Sequence, residues 1–132
     1  MDLIIGLTPV LKKGSLFAYL VSMALRVTEI HRVLKSEGSF FLHCDPTASH
    51  YLKTILDSVF CSQGGDFINE IVWCYNVGGK SKKHFARKHD IIFWYGKGKE
   101  PYFDGMAAGL KRETGDKSFG GKIGIRPVVK VA

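Results

Sequence analysis

Between residues 16 and 34 the apolar side chains Leu16, Leu20, Met23, Val27, Ile30 and Leu34 recur at alternating intervals of four and three. That rhythm places them on one face of a helix. Arg26, Glu29, Arg32 and Lys35 fall mostly off the stripe. The pattern predicts a helix over roughly 16–36, with Ser15 as its N-cap and Gly38 as its stop. A helix of about twenty residues is a rod of roughly 30 Å, too long for a minor connector.

The pattern then changes period. GSFFLHC, residues 38–44, is a short continuous apolar run after a glycine, which predicts a strand buried on both faces. DPTASHYLKTILDSVFCSQGG follows. Asp45 suits a cap and Pro46 a first helical position, while Leu52, Ile55, Leu56, Val59 and Phe60 form the buried face of a second helix. Gly64 and Gly65 end it. Two further strand-like runs are FINEIVWCY, 67–75, and HDIIFWYG, 89–96. A strand–helix–strand order predicts an α/β protein with a partly parallel sheet. Only about a dozen residues join the last two strands, which is short for a helical crossover, so they are expected to be antiparallel neighbours.

Beyond residue 97 no period persists. The segment 99–132 is rich in glycine and charge, and only IRPVVKV near its end reads as a short strand, confined to an edge by Pro127. Residues 1–14, MDLIIGLTPVLKKG, match neither pattern. They have an acidic residue where a secretory leader needs a basic one. The chain therefore divides into an N-terminal segment 1–14, an α/β domain 15–98, and a Gly-rich basic tail 99–132 that is either mobile or the start of a further region.

The 132 residues suit one domain, and a 45% hydrophobic share is enough for a real core. A net charge of +7 favours an acidic partner such as nucleic acid, a membrane surface or an acidic protein. No run approaches the ~20 apolar residues that span a bilayer. Cys44, Cys61 and Cys74 are odd in number and form no Cys-x-x-Cys pair. Neither a disulfide framework nor a Cys-based zinc site is expected, and free thiols suit the cytoplasm.

The charge is concentrated. Lys80, Lys82, Lys83, Arg87 and Lys88 lie between the last two strands with Phe85 among them and no acid. A solvated turn would account for this, but clustered cations are also what phosphate-backbone contacts need. The loop is thus a candidate nucleic-acid contact. His84 and His89 are five apart, which suits neither a helical nor a strand face, and the surrounding cations oppose a metal. Metal ligation is not expected. His43 and Cys44 are adjacent in a strand and so point to opposite faces, which argues against a Cys–His nucleophile. His43 and Asp45 nonetheless sit at a strand's C-terminal end, where open α/β sheets bind ligands.

Four pieces together closely resemble the amino-methylating DNA methyltransferases of restriction–modification type. They are Arg32-Val33-Leu34-Lys35 leading to Gly38, HCDPTASHYLK at 43–53, Asn69-Glu70-Ile71-Val72-Trp73, and Lys88-His89-Asp90 before an aromatic strand. The resemblance spans about residues 15–98. It implies a Rossmann-like open α/β sheet with an antiparallel strand inserted near its edge. GSFFLHC would be a central parallel strand, and FINEIVWCY with HDIIFWYG the edge hairpin. It implies methyl transfer from S-adenosylmethionine to the exocyclic amine of adenine or cytosine in DNA, with the basic loop on the DNA-facing side and His43 and Asp45 lining a pocket.

Two family motifs are missing. One is an (Asp/Asn/Ser)-Pro-Pro-(Tyr/Phe) tetrapeptide that accepts hydrogen bonds from the target amine and stacks on a flipped base; the sequence has no Pro-Pro. Asp45-Pro46-Thr47 lacks the second proline and the aromatic, and helix capping explains it better. The other is a Phe-x-Gly-x-Gly-like turn that approaches the cofactor. Ser118-Phe119-Gly120-Gly121-Lys122-Ile123-Gly124 has the composition without a strand before it or a helix after it. The isolated chain is expected to be inactive, to bind S-adenosylmethionine weakly, and to associate with itself or a complementing chain. The alternative reading is a non-catalytic basic nucleic-acid-binding module.

Overall fold

A computed structural model describes residues 2–12, 14–75, 82, 83, 85 and 88–108. The chain divides into two compact units, Met1–Tyr102 and Phe103–Ala132. In the first, helices α1 (Asp2–Leu11) and α2 (Ser15–Val33) precede strand β1 (Ser39–Cys44) and helix α3 (Ser49–Phe60). A short 3₁₀ turn, Cys61–Gln63, leads to β2 (Asp66–Cys74) and then β3 (His89–Gly96). The described part of the second unit contains one helical turn, α4 (Gly105–Ala108), whose Met106 and Ala107 amides donate to Asp104 Oδ1 at 3.1 and 3.0 Å.

The predicted stripes carry the core. Leu20 and Val27 of α2 and Leu52, Ile55, Leu56 and Phe60 of α3 are essentially fully buried, against Ile91, Phe93 and Tyr95 of β3. Phe60 is central: it stacks on Phe40 at 5.5 Å and meets His31 edge-on at 4.9 Å. The Tyr95 hydroxyl donates to Asp57 Oδ1 at 2.5 Å, and Asp57 also pairs with Lys53 at 2.7 Å. Burial first, then the Asp57 carboxylate, raise the Tyr95 pKa far above its usual range.

Several local expectations are corrected. The first helix ends at Val33, not near 36, and Gly14 rather than Ser15 is the N-cap. Gly38 does not stop it. Leu34 turns out in an extended conformation, and Lys97 Nζ donates to the His31, Leu34 and Arg32 carbonyls at 2.6, 2.8 and 3.3 Å. A distant cation thus satisfies the orphan C-terminal carbonyls that a glycine turn would otherwise serve. Ala48, not Asp45, is the N-cap of α3; Asp45 Oδ1 instead accepts from the Thr47 amide at 3.1 Å, closing the turn before the helix. Gly64 does end α3 and its 3₁₀ extension, in the left-handed region at φ 86°. The segment 1–14 was assigned no element, yet Asp2–Leu11 form α1, and Leu3, Ile4 and Leu11 pack on the core.

The sheet order is β1-β3-β2. β3 is antiparallel to both neighbours, so β1 and β2 run in the same direction with β3 inserted between them. The antiparallel pairing of the last two strands holds. β1 is not a central parallel strand buried on both faces. Among the described residues it pairs with β3 alone and antiparallel, and its Phe41 is 53% exposed. The helices cover only one face of the sheet, so alternate β1 residues remain open.

Candidate functional site

Because β1 and β2 run together, their C-terminal ends reach the same end of the sheet, where β3 begins. The register puts Cys44 opposite Ile91, and Trp73 and Cys74 opposite Asp90 and His89. The side chains expected at opposite faces are found there: Cys44 is buried toward the helices and His43 is exposed on the other side. The pair is therefore not a nucleophile and base. Burial, then the charges of Asp45, Asp90 and Glu70, push the Cys44 thiol up to about 11, so it stays protonated near neutrality.

On the exposed side a polar cluster forms around Asp90. His43 Nε2 lies 2.9 Å from Asp90 Oδ2, and the Tyr75 hydroxyl donates to Asp90 Oδ1 at 3.3 Å. An ionised carboxylate only accepts, so the shared His43 proton sits on Nε2, fixing the ring. The imidazole stacks on Trp73 with centroids 5.9 Å apart. Desolvation, then the Asp90 charge and its hydrogen bond, raise the Tyr75 pKa. Sequence reasoning gave Tyr75 no site role and named Trp73 and Asp90 only within family-like runs. The signal that could have found them is their position at either end of the basic loop, whose base is closed by Tyr75 N–H donating to Lys88 O at 3.1 Å.

Asp45 is exposed beside this cluster and also lines a cleft of about 490 Å³ between the start of α2 and the β1–α3 turn, with Leu16, Tyr19 and Thr47. A smaller cavity of about 260 Å³ lies under α3, lined by His50, Lys53, Glu70 and His89. Asp45 and Asp90 thus lie at the end of the sheet, and Glu70 lies further along β2 opposite Phe93 on the helix-covered face. All three are hydrogen-bond acceptors when ionised.

The loop that leaves this end carries the opposite charge. Lys82 and Lys83 are exposed, Phe85 is fully exposed, and Lys88 is half-buried. Lys80 and Arg87 lie outside the described residues, as does the glycine-rich 118–124 segment. The structure therefore brings His43 and Asp45 to the same end of the sheet as Lys88.

The glycines described at the C-terminal end of β3 do not form a cofactor turn. A cofactor turn needs glycine backbone open to a ligand at a strand's C-terminal end. The tightest glycines here are filled by the chain itself: a Cβ at Gly65, Gly96 or Gly98 would lie 2.5, 2.6 or 2.8 Å from the Gly96, Gly98 or Ser36 carbonyl oxygen. Among the described residues no helix is long and apolar enough to cross a membrane. A family model described as DNA methylase matches residues 11–120. No curated protein matches the chain.

Proposed function

The chain belongs to the DNA methylase family, and on that premise we propose that it is part of an enzyme of restriction–modification type. That enzyme would transfer a methyl group from S-adenosylmethionine to the exocyclic amine of adenine or cytosine in DNA. The observation that carries the reading is the family match across a sheet in which an antiparallel strand is inserted between two co-directional ones. That arrangement supports a Rossmann-like origin. The convergence of β1 and β2 supplies the ligand-binding end such sheets use.

Each part of the site has a role in this reading. Lys80, Lys82, Lys83, Arg87 and Lys88 contact phosphates, with Phe85 beside them, and hold the duplex without reading its sequence. Asp45 lines the cleft beside α2, and His43 faces the open side of the sheet at the same end. The acceptor-rich end of the sheet suits an amine, which has only protons to offer once its lone pair is delocalised into the base. Asp90 and Tyr75 hold the His43 ring in place. The chain supplies neither the Pro-Pro-aromatic tetrapeptide nor, among the described residues, a cofactor turn. In this reading residues 1–132 by themselves are inactive, and activity needs both motifs supplied from outside them.

The missing tetrapeptide also favours a second reading, a basic nucleic-acid-binding module without chemistry. Two measurements separate the outcomes. Duplex DNA binding is expected to be weak and independent of sequence. If three loop cations touch phosphates, log affinity should fall against log salt with a slope of about −3. Changing Lys82, Lys83 and Arg87 together to Ala should bring that slope to roughly zero, while changing Lys111, Arg112 and Lys117 should not. Equal loss from both would make binding a diffuse effect of net charge. Calorimetry with S-adenosylmethionine is expected to find no tight site. A dissociation constant of about 10 µM or better, roughly −7 kcal/mol, would overturn the incomplete-enzyme reading.

A further inference from the structure

The Asp90 side chain is tied to both strands beside its own. Its register partner on β2 is Trp73, and Tyr75 follows two residues later on the same face. On β1, His43 stands opposite Ile92, two residues from Asp90 and again on that face. Such diagonal neighbours are about 7–8 Å apart, within reach of aromatic and long side chains. Asp90 engages both. Oδ1 accepts from the Tyr75 hydroxyl at 3.3 Å, and Oδ2 accepts from His43 Nε2 at 2.9 Å. The Asp90 side chain is left 25% exposed. These bonds lie where the backbone pairing runs out. The β1–β3 ladder ends at Cys44 opposite Ile91, the neighbour of Asp90. The β2–β3 ladder ends at Cys74 opposite His89, followed by the Tyr75 amide donating to Lys88 O at 3.1 Å. Ladder ends are among the first places to open.

We propose, on the reading of the cationic loop as a DNA contact, that Asp90 is a positioning residue for that contact. Tyr75 and Lys88 are the two ends of the loop, and Asp90 fastens them to each other and to β1. Lys82, Lys83 and Lys88 then meet phosphates from a base that is already ordered. Ordering a loop on binding costs affinity, and a base fixed beforehand removes part of that cost.

Charge alone would argue for the opposite role. A carboxylate repels phosphate, and between Glu70 and Asp90 the sequence holds no acid. The acid that closes this cationic stretch has both oxygens taken by donors on the neighbouring strands. Hydrogen bonds to an ionised acceptor are the strong ones. An amide at this position would weaken them while removing the repulsion. Electrostatics and positioning therefore predict opposite changes in DNA affinity.

Duplex binding by the full chain, followed against salt, tests it. Asp90→Asn should weaken binding at least about fivefold and move the salt slope from about −3 to about −2 or shallower. Tyr75→Phe changes no charge and should weaken binding about two- to fivefold, with the slope moving the same way. Asp66→Asn removes an exposed acid at the far end of the same hairpin and should not weaken it. Hydrogen exchange of the Tyr75 amide, read without DNA, should be at least about tenfold faster in Asp90→Asn than in the unaltered chain. Tyr75→Phe decides the matter if Asp90→Asn fails to fold. With the unaltered chain binding duplex, the proposal alone would be overturned by unchanged or tighter binding in Asp90→Asn, by equal weakening in Asp66→Asn, or by unchanged exchange at Tyr75. Absence of duplex binding by the unaltered chain would end the DNA reading and this role with it.

Discussion

One face of the sheet is sealed by helices and the other is open, although the same three strands make both. On the sealed face, Phe93 and Tyr95 are 2% and 0% exposed. On the open face, Phe41 and Trp73 are 53% and 38% exposed, and the aromatics stack on each other in pairs: Phe41 on Trp94 and His43 on Trp73. Composition does not distinguish the faces, since both are aromatic. What distinguishes them is whether another element lies within reach. Stability should therefore reside on the sealed face, with little of it on the open one.

The largest effect should come from the sealed face. Phe60→Ala removes the ring that touches His31, Phe40 and Tyr95 and should cost about 3–5 kcal/mol in urea unfolding. A loss below about 1 kcal/mol would mean that the helices do not pack as described. Smaller is Tyr95→Phe, which keeps the ring and removes the donor to Asp57 and should cost about 1–2 kcal/mol. A neutral result would show that solvent replaces the hydroxyl at Asp57.

A pH effect follows from His31. It is buried on the helix side with Nε2 unpartnered among the described residues, and burial, then the Lys97 charge, lower its pKa from the usual 6.5. The unfolded chain therefore binds the proton more readily than the folded one. The stabilisation is fully present above pH 6.5 and is lost as pH falls through the lowered folded value. Stability measured from neutral to acid pH should fall below that point, and His31→Leu should flatten this part of the profile. An unchanged acid limb would assign the loss to other groups.

The smallest effect belongs to the open face. Phe41→Ala should change the stability of the dilute chain by less than about 0.5 kcal/mol, at a concentration low enough to keep any dimer dissociated. A cost near that of Phe60→Ala would show that something covers this face and would end the contrast.

These contrasts mark how much could be read beforehand. The stripe Leu20–Val27 and the set from Leu52 to Phe60 were legible because a helix repeats its inward face every three to four residues. The strands at 66–74 and 89–96 were legible because apolar runs between glycine and charge have few other outcomes. The Asp90 cluster was not, since His43 and Asp90 are 47 positions apart and meet only through register. Nor was the helix end at Val33, because the capping group, Lys97, lies 66 positions from His31 in the chain and reaches it only through the pairing of β3 with β1.

The sequence by itself determined α2, α3, the three strands, the inward faces of the two helices and the cationic loop, since these depend on residues within a few positions of one another. The tertiary structure alone decided the strand order, in which β1, among the described residues, pairs on one side only. It also decided which aromatics are sealed and which stay open. Periodicity says that a residue faces one side of a strand. Only the packed chain says whether anything is there to meet it.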